Sequence, residues 1–422
     1  MNDLLHTLTT ELDRHAPQRA RLDAYYRGEA PITFLAPEVK EALAGRLHRV
    51  SSNIPRLLVD ALTERLRVTG FDGADVWPTW NRLHGQTVAD TVHHEALILG
   101  DAYVIVWGDQ TGRAVMSAES AHQVAVLTDP ATGDVTAAVK RWTSGQQTFA
   151  VVYEPEKITS LRADVANATS GGFTVTRVAD NPLGLVPVVP FANTGRLLED
   201  GVSEMESVIP LSDANTKLLT DLLTASEATA RARRWASGVE LSEDPEGNVV
   251  SPFAENDKML ISESPESKFG QLPGADLTAY DKAVGVVMRQ ISAVSGLPEH
   301  MLGIGGDNPT SADSIRASEA ALTAKAEAKQ RTLGRSWAQV ARLISAVETG
   351  SEPDMVVTQW ADPSTRSEAA QADAAVKLYS SGLVPASWTL KRLGYSEDEI
   401  TQMRAARRAE ALDTAGLSLG VE

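Results

Sequence analysis

"GLPEHMLGIGGDNPTSADSIRASEAAL", Gly296 to Leu322, passes from a helix-stopping Gly-Leu-Pro, through a loop holding Gly303, Gly305 and Gly306, into a segment with the composition of a long helix. A glycine-rich turn feeding a helix can cradle phosphate, because free backbone N–H groups and the positive end of the helix dipole point at the anion. Two features argue against that use here. No lysine stands where a phosphate loop needs one, and the preceding segment reads as an amphipathic helix where a buried strand is required. The glycines therefore read as a permissive loop between two helices.

Upstream of the loop, Leu277, Tyr280, Val284, Val287, Ile291 and Val294 recur at three- and four-residue steps, and Gly296 with Pro298 ends the pattern. Downstream, Thr310 or Ser311 is expected to cap a helix reaching Val347, 37 residues or roughly 55 Å at 1.5 Å per residue. Its first half, "ADSIRASEAALTAKAEAKQR", is mostly alanine and charge, whereas its second half carries Leu333, Trp337, Val340, Leu343, Ile344 and Val347. Only the second half is expected to anchor in an ordinary core. The first half needs close-packed copies or a water-filled surround.

A further helix is expected after Gly201, with Met205, Val208, Ile209, Leu218, Leu219, Leu222 and Leu223 on one face and Pro210 as an early kink or restart. Arg231, Arg233, Arg234 and Trp235 close it, and two readings stand side by side: favourable charge at a helix C-terminus, or contact with phosphate or an acidic partner. Between the two helices, Val239 to Asp276 holds nine acidic residues against two lysines and is broken by four prolines. It reads as a small exposed acidic subdomain of strands and turns, with Glu243, Asp244 and Glu246 at its acidic turn.

The first hundred residues read as helices, "NIPRLLVDALTERLRV" being the most amphipathic. From Ala102 to about Phe191, short β-branched runs ("AYVIVW", "HQVAVLT", "DVTAAVKRW", "QTFAVVY", "GFTVTRVA") alternate with turn chemistry, as in an antiparallel meander. After about Pro363 come short helical segments, and Ser396 with Glu399 fits a capping box. The fold class is α+β.

With 422 residues and 43% apolar side chains the chain can build several cores, and the absence of cysteine excludes disulfides and thiolate chemistry. The longest apolar runs fall far short of the roughly 20 residues a membrane span needs, and no secretion signal is expected. A net charge of −17 argues against affinity built on wrapping nucleic acid in Lys and Arg. Asp90, His93, His94, Glu95 and Asp101 in "DTVHHEALILGD" are the strongest candidate metal ligands, but the spacing is not HExxH and the other reading is a solvated helix face. There is no G-x-S-x-G elbow. No catalytic residue, metal or cofactor is expected.

The order of parts, with "YYRGEAPI" at Tyr25, "NIPRLLVDALTERLRVTGF" at Asn53, "LGDAYVIVW" at Leu99, "GLPEHMLG" at Gly296 and "NPTSADSIRASEAALTAKAEAKQRTLGRSW" at Asn308, resembles the portal proteins of tailed bacteriophages with long non-contractile tails. That resemblance implies an elongated fold: wing at 1–200, stem helices at 201–236 and 276–296, clip at 237–275, tunnel loop at 297–310, a long helix at 311–350, and remaining wing plus helical crown at 351–422. Long helices would surround a central channel. It implies no enzyme but a ring, expected to be a dodecamer, at one capsid vertex of a virion assembled in the host cytoplasm. Double-stranded DNA would pass non-specifically, and terminase, a head-tail adaptor and capsid and scaffolding proteins would dock; no membrane is involved. In this picture Asp307, Asn308, Pro309 and Thr310 line the channel with Arg316 and Lys325, while Arg231, Arg233, Arg234, Trp235, Glu243, Asp244 and Glu246 meet partners. The alternatives are another head-to-tail ring protein, or a metal-dependent hydrolase built on His93, His94 and Glu95.

Overall fold

The computed structural model describes residues 2–31, 52–193, 200–230, 234–238, 242–243, 249–250, 265–271, 274, 276–304, 312–364 and 368–418. The chain divides into two compact units, Met1–Pro31 with Asn53–Ser212 and Gln290–Glu422, and Ile32–Ser52 with Asp213–Arg289.

In the larger unit, helices α1 (Asn2–Arg14) and α2 (Ala16–Tyr26) precede α3 (Ile54–Thr63), strand β1 (Val68–Asp72), α4 (Trp77–Arg82) and α5 (Gly85–Leu99). The meander then builds two antiparallel sheets. One has the order β3–β2–β9, from β2 (Asp101–Gly108), β3 (Ala114–Ser120) and β9 (Val188–Ala192). The other has five strands in sequence order: β4 (Val124–Thr128), β5 (Val135–Ser144), β6 (Gln147–Tyr153), β7 (Lys157–Ala163) and β8 (Thr174–Asp180). Period-two burial sets which face of the second sheet is apolar. Ala137, Val139, Ala150, Val152 and Leu161 form one buried cluster with Leu5, Leu8 and Leu12 of α1. The run "VVPFA" is β9. It tolerates Pro190 because it pairs with β2 on one side, while the carbonyl of Pro190 accepts a 2.8 Å hydrogen bond from Ser336 Oγ.

Helix α6 (Ile209–Ala230) begins with Pro210 in its first turn, where the missing N–H costs nothing. The proline therefore starts the helix and does not kink it. In the smaller unit, β10 (Arg234–Ser237) pairs with β13 (Lys268–Gln271), and β11 (Ser242–Glu243) with β12 (Val249–Val250). Arg234 and Trp235 thus belong to a strand and do not close α6. Trp235 sits opposite Gly270, whose missing Cβ would lie 2.5 Å from the indole. Helix α7 (Thr278–Ser295) follows.

The expected helix of 37 residues is two pieces, α8 (Ala312–Ser318) and α9 (Ala320–Thr349). Hydrogen bonding is carried across the interruption, because Glu319 N–H donates to the Ile315 carbonyl at 3.0 Å and Thr323 N–H donates to that of Glu319 at 2.9 Å. The expectation that only the second half anchors is also corrected. Leu322, Ala326 and Gln330 are buried at four-residue spacing and continue without a gap into Leu333 and Trp337. After α9, strand β14 (Val357–Trp360) returns to pair with β1, and α10 (Glu368–Ser380), α11 (Ala386–Arg392) and α12 (Glu397–Ser418) complete the chain. Ser396 and Glu399 form the expected capping box: Glu399 Oε2 accepts from Ser396 N–H at 2.8 Å, and Ser396 Oγ accepts from Glu399 N–H at 3.3 Å.

Where α5 hands over to β2, two glycines make a close backbone approach. A Cβ on Gly100 would fall 2.2 Å from the Gly201 carbonyl oxygen, and one on Gly201 would fall 2.0 Å from that of Gly100. Gly100 is also in the left-handed region at φ 93. Gly100→Ala is therefore expected to lower stability by about 1–3 kcal/mol or more, clash and backbone strain adding together. Gly112, at φ 79 with open space around it, isolates the strain. Thermal melts should place Gly100→Ala well below Gly112→Ala, and equal melting temperatures would refute the close crossing.

Candidate functional site

The two described flanks of the Gly303 loop are tied to one framework by two charged clamps. The first centres on Glu204, whose backbone N–H donates to the Leu97 carbonyl at the end of α5 at 2.9 Å. Its carboxylate takes Lys325 on Oε1 and Lys329 on Oε2, each at 2.7 Å, both lysines projecting from the same face of α9 at i, i+4 spacing. Burial alone would push this carboxyl up. The two ammonium groups and their hydrogen bonds outweigh it and bring Glu204 down to about 2. Lys329 also donates to Asn193 Oδ1 at 2.6 Å, and Asn193 Nδ2 donates to the Val202 carbonyl at 2.7 Å.

Lys325 links this clamp to the front flank, donating to the Ser295 carbonyl at 2.9 Å. There α7 ends in a tight local circuit. Ser295 Oγ donates to the Ile291 carbonyl at 2.6 Å and accepts Leu297 N–H at 3.0 Å, while Gly296 takes φ 78. The Gly-Leu-Pro stop is thus a left-handed turn with its polar groups satisfied. A 3₁₀ turn at Glu299–Leu302 leads towards the loop.

The second clamp is Glu319, at the break between α8 and α9. Its carboxylate meets Arg65 at 3.4 Å, with side chains 6% and 10% exposed, and His300 of the front flank at 3.6 Å. Arg65 also donates to the Ala61 carbonyl at 2.9 Å, and the Gln330 amide donates to the Arg65 carbonyl at 3.1 Å. Both ends of the loop are thereby fixed to α3 and α9, so the base is preorganised for the residues between them.

Below this base lies an aromatic core. Trp337 is fully buried, 4.6 Å from Phe191, 5.1 Å from Trp80 and 5.8 Å from His93 by ring centroids. Its indole N–H donates to His93 Nε2 at 2.8 Å. Burial, helped by the neighbouring His94, lowers His93 to about 3, so the ring stays neutral and accepts.

The sequence-derived site residues fare unevenly. Asp307, Asn308, Pro309 and Thr310, with Arg231, Arg233, Asp244 and Glu246, lie outside the described residues. Glu243 pairs with Val249 in β11, Trp235 is half-exposed on β10, and Arg316 is half-buried on α8. Lys325, expected to line the channel, has its ammonium held by Glu204 and the Ser295 carbonyl. Glu204, Arg65 and Glu319 carried no signal in the sequence, because their partners are far away along the chain. His93 and His94 do not assemble a metal site: the first points into the aromatic core, while His94 Nε2 lies 3.4 Å from Asp60.

The family model for "Phage portal protein, SPP1 Gp6-like" matches residues 5–412. A portal protein of Mycobacterium phage D29 is 30% identical over 93% of this chain and 86% of its own length. One of Mycobacterium phage L5 is 29% identical over 94% and 85%. Among solved structures, a chain from the neck of an empty gene transfer agent particle aligns over 81% of this chain and 88% of its own, with TM-score 0.48 and 13% identity.

Proposed function

We propose, from the premise that this chain belongs to the SPP1 Gp6-like family of phage portal proteins, that copies of it form a ring, a dodecamer, around a channel for double-stranded DNA at one capsid vertex. The observation that carries the channel assignment is the doubly clamped base. Glu204 and Glu319 hold both flanks of a glycine-bearing loop against α3 and α9. A fixed base with a permissive tip suits a surface past which a duplex must slide without being gripped. Asp307, Asn308, Pro309 and Thr310 then face the DNA, with Arg316 behind them, while Lys325 is the anchor of the loop and not its contact. The acidic segment around Glu243, with Arg231 to Trp235 at its root, is the docking surface for the packaging terminase and later for the head-tail adaptor.

Purified chain should appear as hollow rings by electron microscopy, and a compact monomer at all concentrations would overturn the reading. The loop assignment has its own test. Asp307→Lys with Asn308→Lys should leave rings intact yet reduce the DNA packaged per procapsid at low salt, and the defect should ease as salt screens the new phosphate contacts. Undiminished packaging at low salt would mean that the loop does not meet the duplex.

A further inference from the structure

We propose that the Arg404, Arg407 and Arg408 face of α12 is a second DNA-binding surface, outside the channel loop, which takes the phosphate backbone of duplex DNA without sequence preference. The portal reading supplies the identity of the polyanion; the place comes from the structure. Every residue from Thr401 to Glu410 is exposed, so over this length the described part of the chain buries none of the α12 side chains. The first turn of α12 is anchored. There Ile400 is 1% exposed and Asp398 accepts a 2.7 Å hydrogen bond from the Asn81 amide.

The three arginines follow at i, i+3 and i+4 and so share one side of the helix. None of them is paired with a carboxylate among the described residues, in a chain whose net charge is −17. Several cations of the larger unit are instead engaged internally: Lys325 and Lys329 with Glu204, Arg82 with Glu348, Arg65 with Glu319. Unengaged guanidinium groups side by side are therefore a local inversion of the chain's charge.

Geometry favours phosphate over a protein partner. Neighbours at i, i+3 and i+4 stand about 5–6 Å apart at Cβ, and successive phosphates of one strand advance about 3.4 Å along the duplex axis, so flexible guanidiniums on one face can reach adjacent phosphates. The intervening residues Ala405, Ala406 and Ala409 are small and let the helix approach a groove edge closely. From Thr401 to Glu410 the one large apolar side chain is Met403, with no aromatic residue, Leu, Ile or Val beside it to build the anchor a protein interface would use. The competitor is an acidic surface on a neighbouring copy.

The test compares the full chain with its Arg404→Gln, Arg407→Gln, Arg408→Gln variant and with the matching triple Lys variant. Affinity for a short labelled duplex of mixed sequence is read across a salt series, and assembly is read by electron microscopy. Loss of three phosphate contacts should make the slope of log affinity against log salt shallower by about 2–3 and weaken binding at least about tenfold at low salt. The Lys variant should retain most of the slope. Equal affinity and slope in wild type and the Gln variant would overturn the proposal. So would loss of rings with DNA affinity unchanged, which assigns the face to a neighbouring copy. Hollow rings from wild type that fail to bind the duplex would sink this inference while leaving the portal reading intact.

Discussion

Trp337→Ala is expected to cost about 3–5 kcal/mol of folding stability, the range for removing a large aromatic side chain from a core. The indole is fully buried and touches rings from three other elements: Trp80 of α4, His93 of α5 and Phe191 of β9. Its removal also strips the donor from His93 Nε2, a buried acceptor that water does not reach. Trp337→Phe separates the two contributions. It keeps most of the apolar contact and loses the hydrogen bond, so a smaller cost of about 1–3 kcal/mol is expected.

The same histidine gives the pH dependence. Its folded value of about 3 lies below the ordinary 6.5. The unfolded chain therefore binds the proton first, and stability present above pH 6.5 declines as pH falls towards 3. Chemical denaturation of the wild type and both variants across that range is the measurement. A Trp337→Ala protein as stable as wild type at neutral pH would mean that the α9 stripe is not the core of the unit.

Trp337 is also where the sequence spoke most clearly. The stripe Leu333, Trp337, Val340, Leu343, Ile344 and Val347 is legible because large apolar residues at helical spacing have few other uses, and all but the half-buried Val347 are buried. The N-terminal half of the same helix was misjudged for a physical reason. Ala326 is fully buried and Gln330 nearly so where the neighbour is close, but neither residue type announces a core. The meander was legible wherever β-branched residues cluster, as in β2, β5 and β6. It was not legible in β3 ("AVMSAES") and β7 ("KITSLRA"), where polar Glu119 and Thr159 are buried while Val115 and Ile158 are only half-buried. The pairing of β1 with β14 joins segments nearly at opposite ends of the chain, and local pattern carries no information about it. The candidate site divides in the same way: glycine, proline and the helix stop marked where the loop is, but the carboxylates that hold its base lie on other elements.

Glu204→Gln tests that base. The carboxylate is the common acceptor for Lys325 and Lys329, and an amide of the same shape leaves two partly buried ammonium groups without a counter-charge. Breaking a buried pair from one side typically costs about 3–5 kcal/mol, and because both lysines retain some water contact the lower end of that range is expected. The sign with pH follows from the depressed value of Glu204. Folded at about 2 against an ordinary 4.5, it contributes stability that is fully present above pH 4.5 and is lost as pH falls towards 2. Glutamine cannot titrate, so the gap between wild type and variant should narrow through that window, with His93 contributing equally to both. Lys325 supplies the link to function, because it is the residue that joins Glu204 to the front flank through the Ser295 carbonyl. Lys325→Met should therefore loosen the loop's base and, through the acceptor left behind, raise the Glu204 carboxyl towards its usual value, whereas a merely exposed lysine would move neither. Hydrogen exchange of the amides flanking the loop in the Lys325→Met and Glu204→Gln proteins should rise together while those of the β5–β6 pair stay protected. Unchanged exchange at Leu297 and Thr323 in both variants would mean that the clamp does not hold the loop.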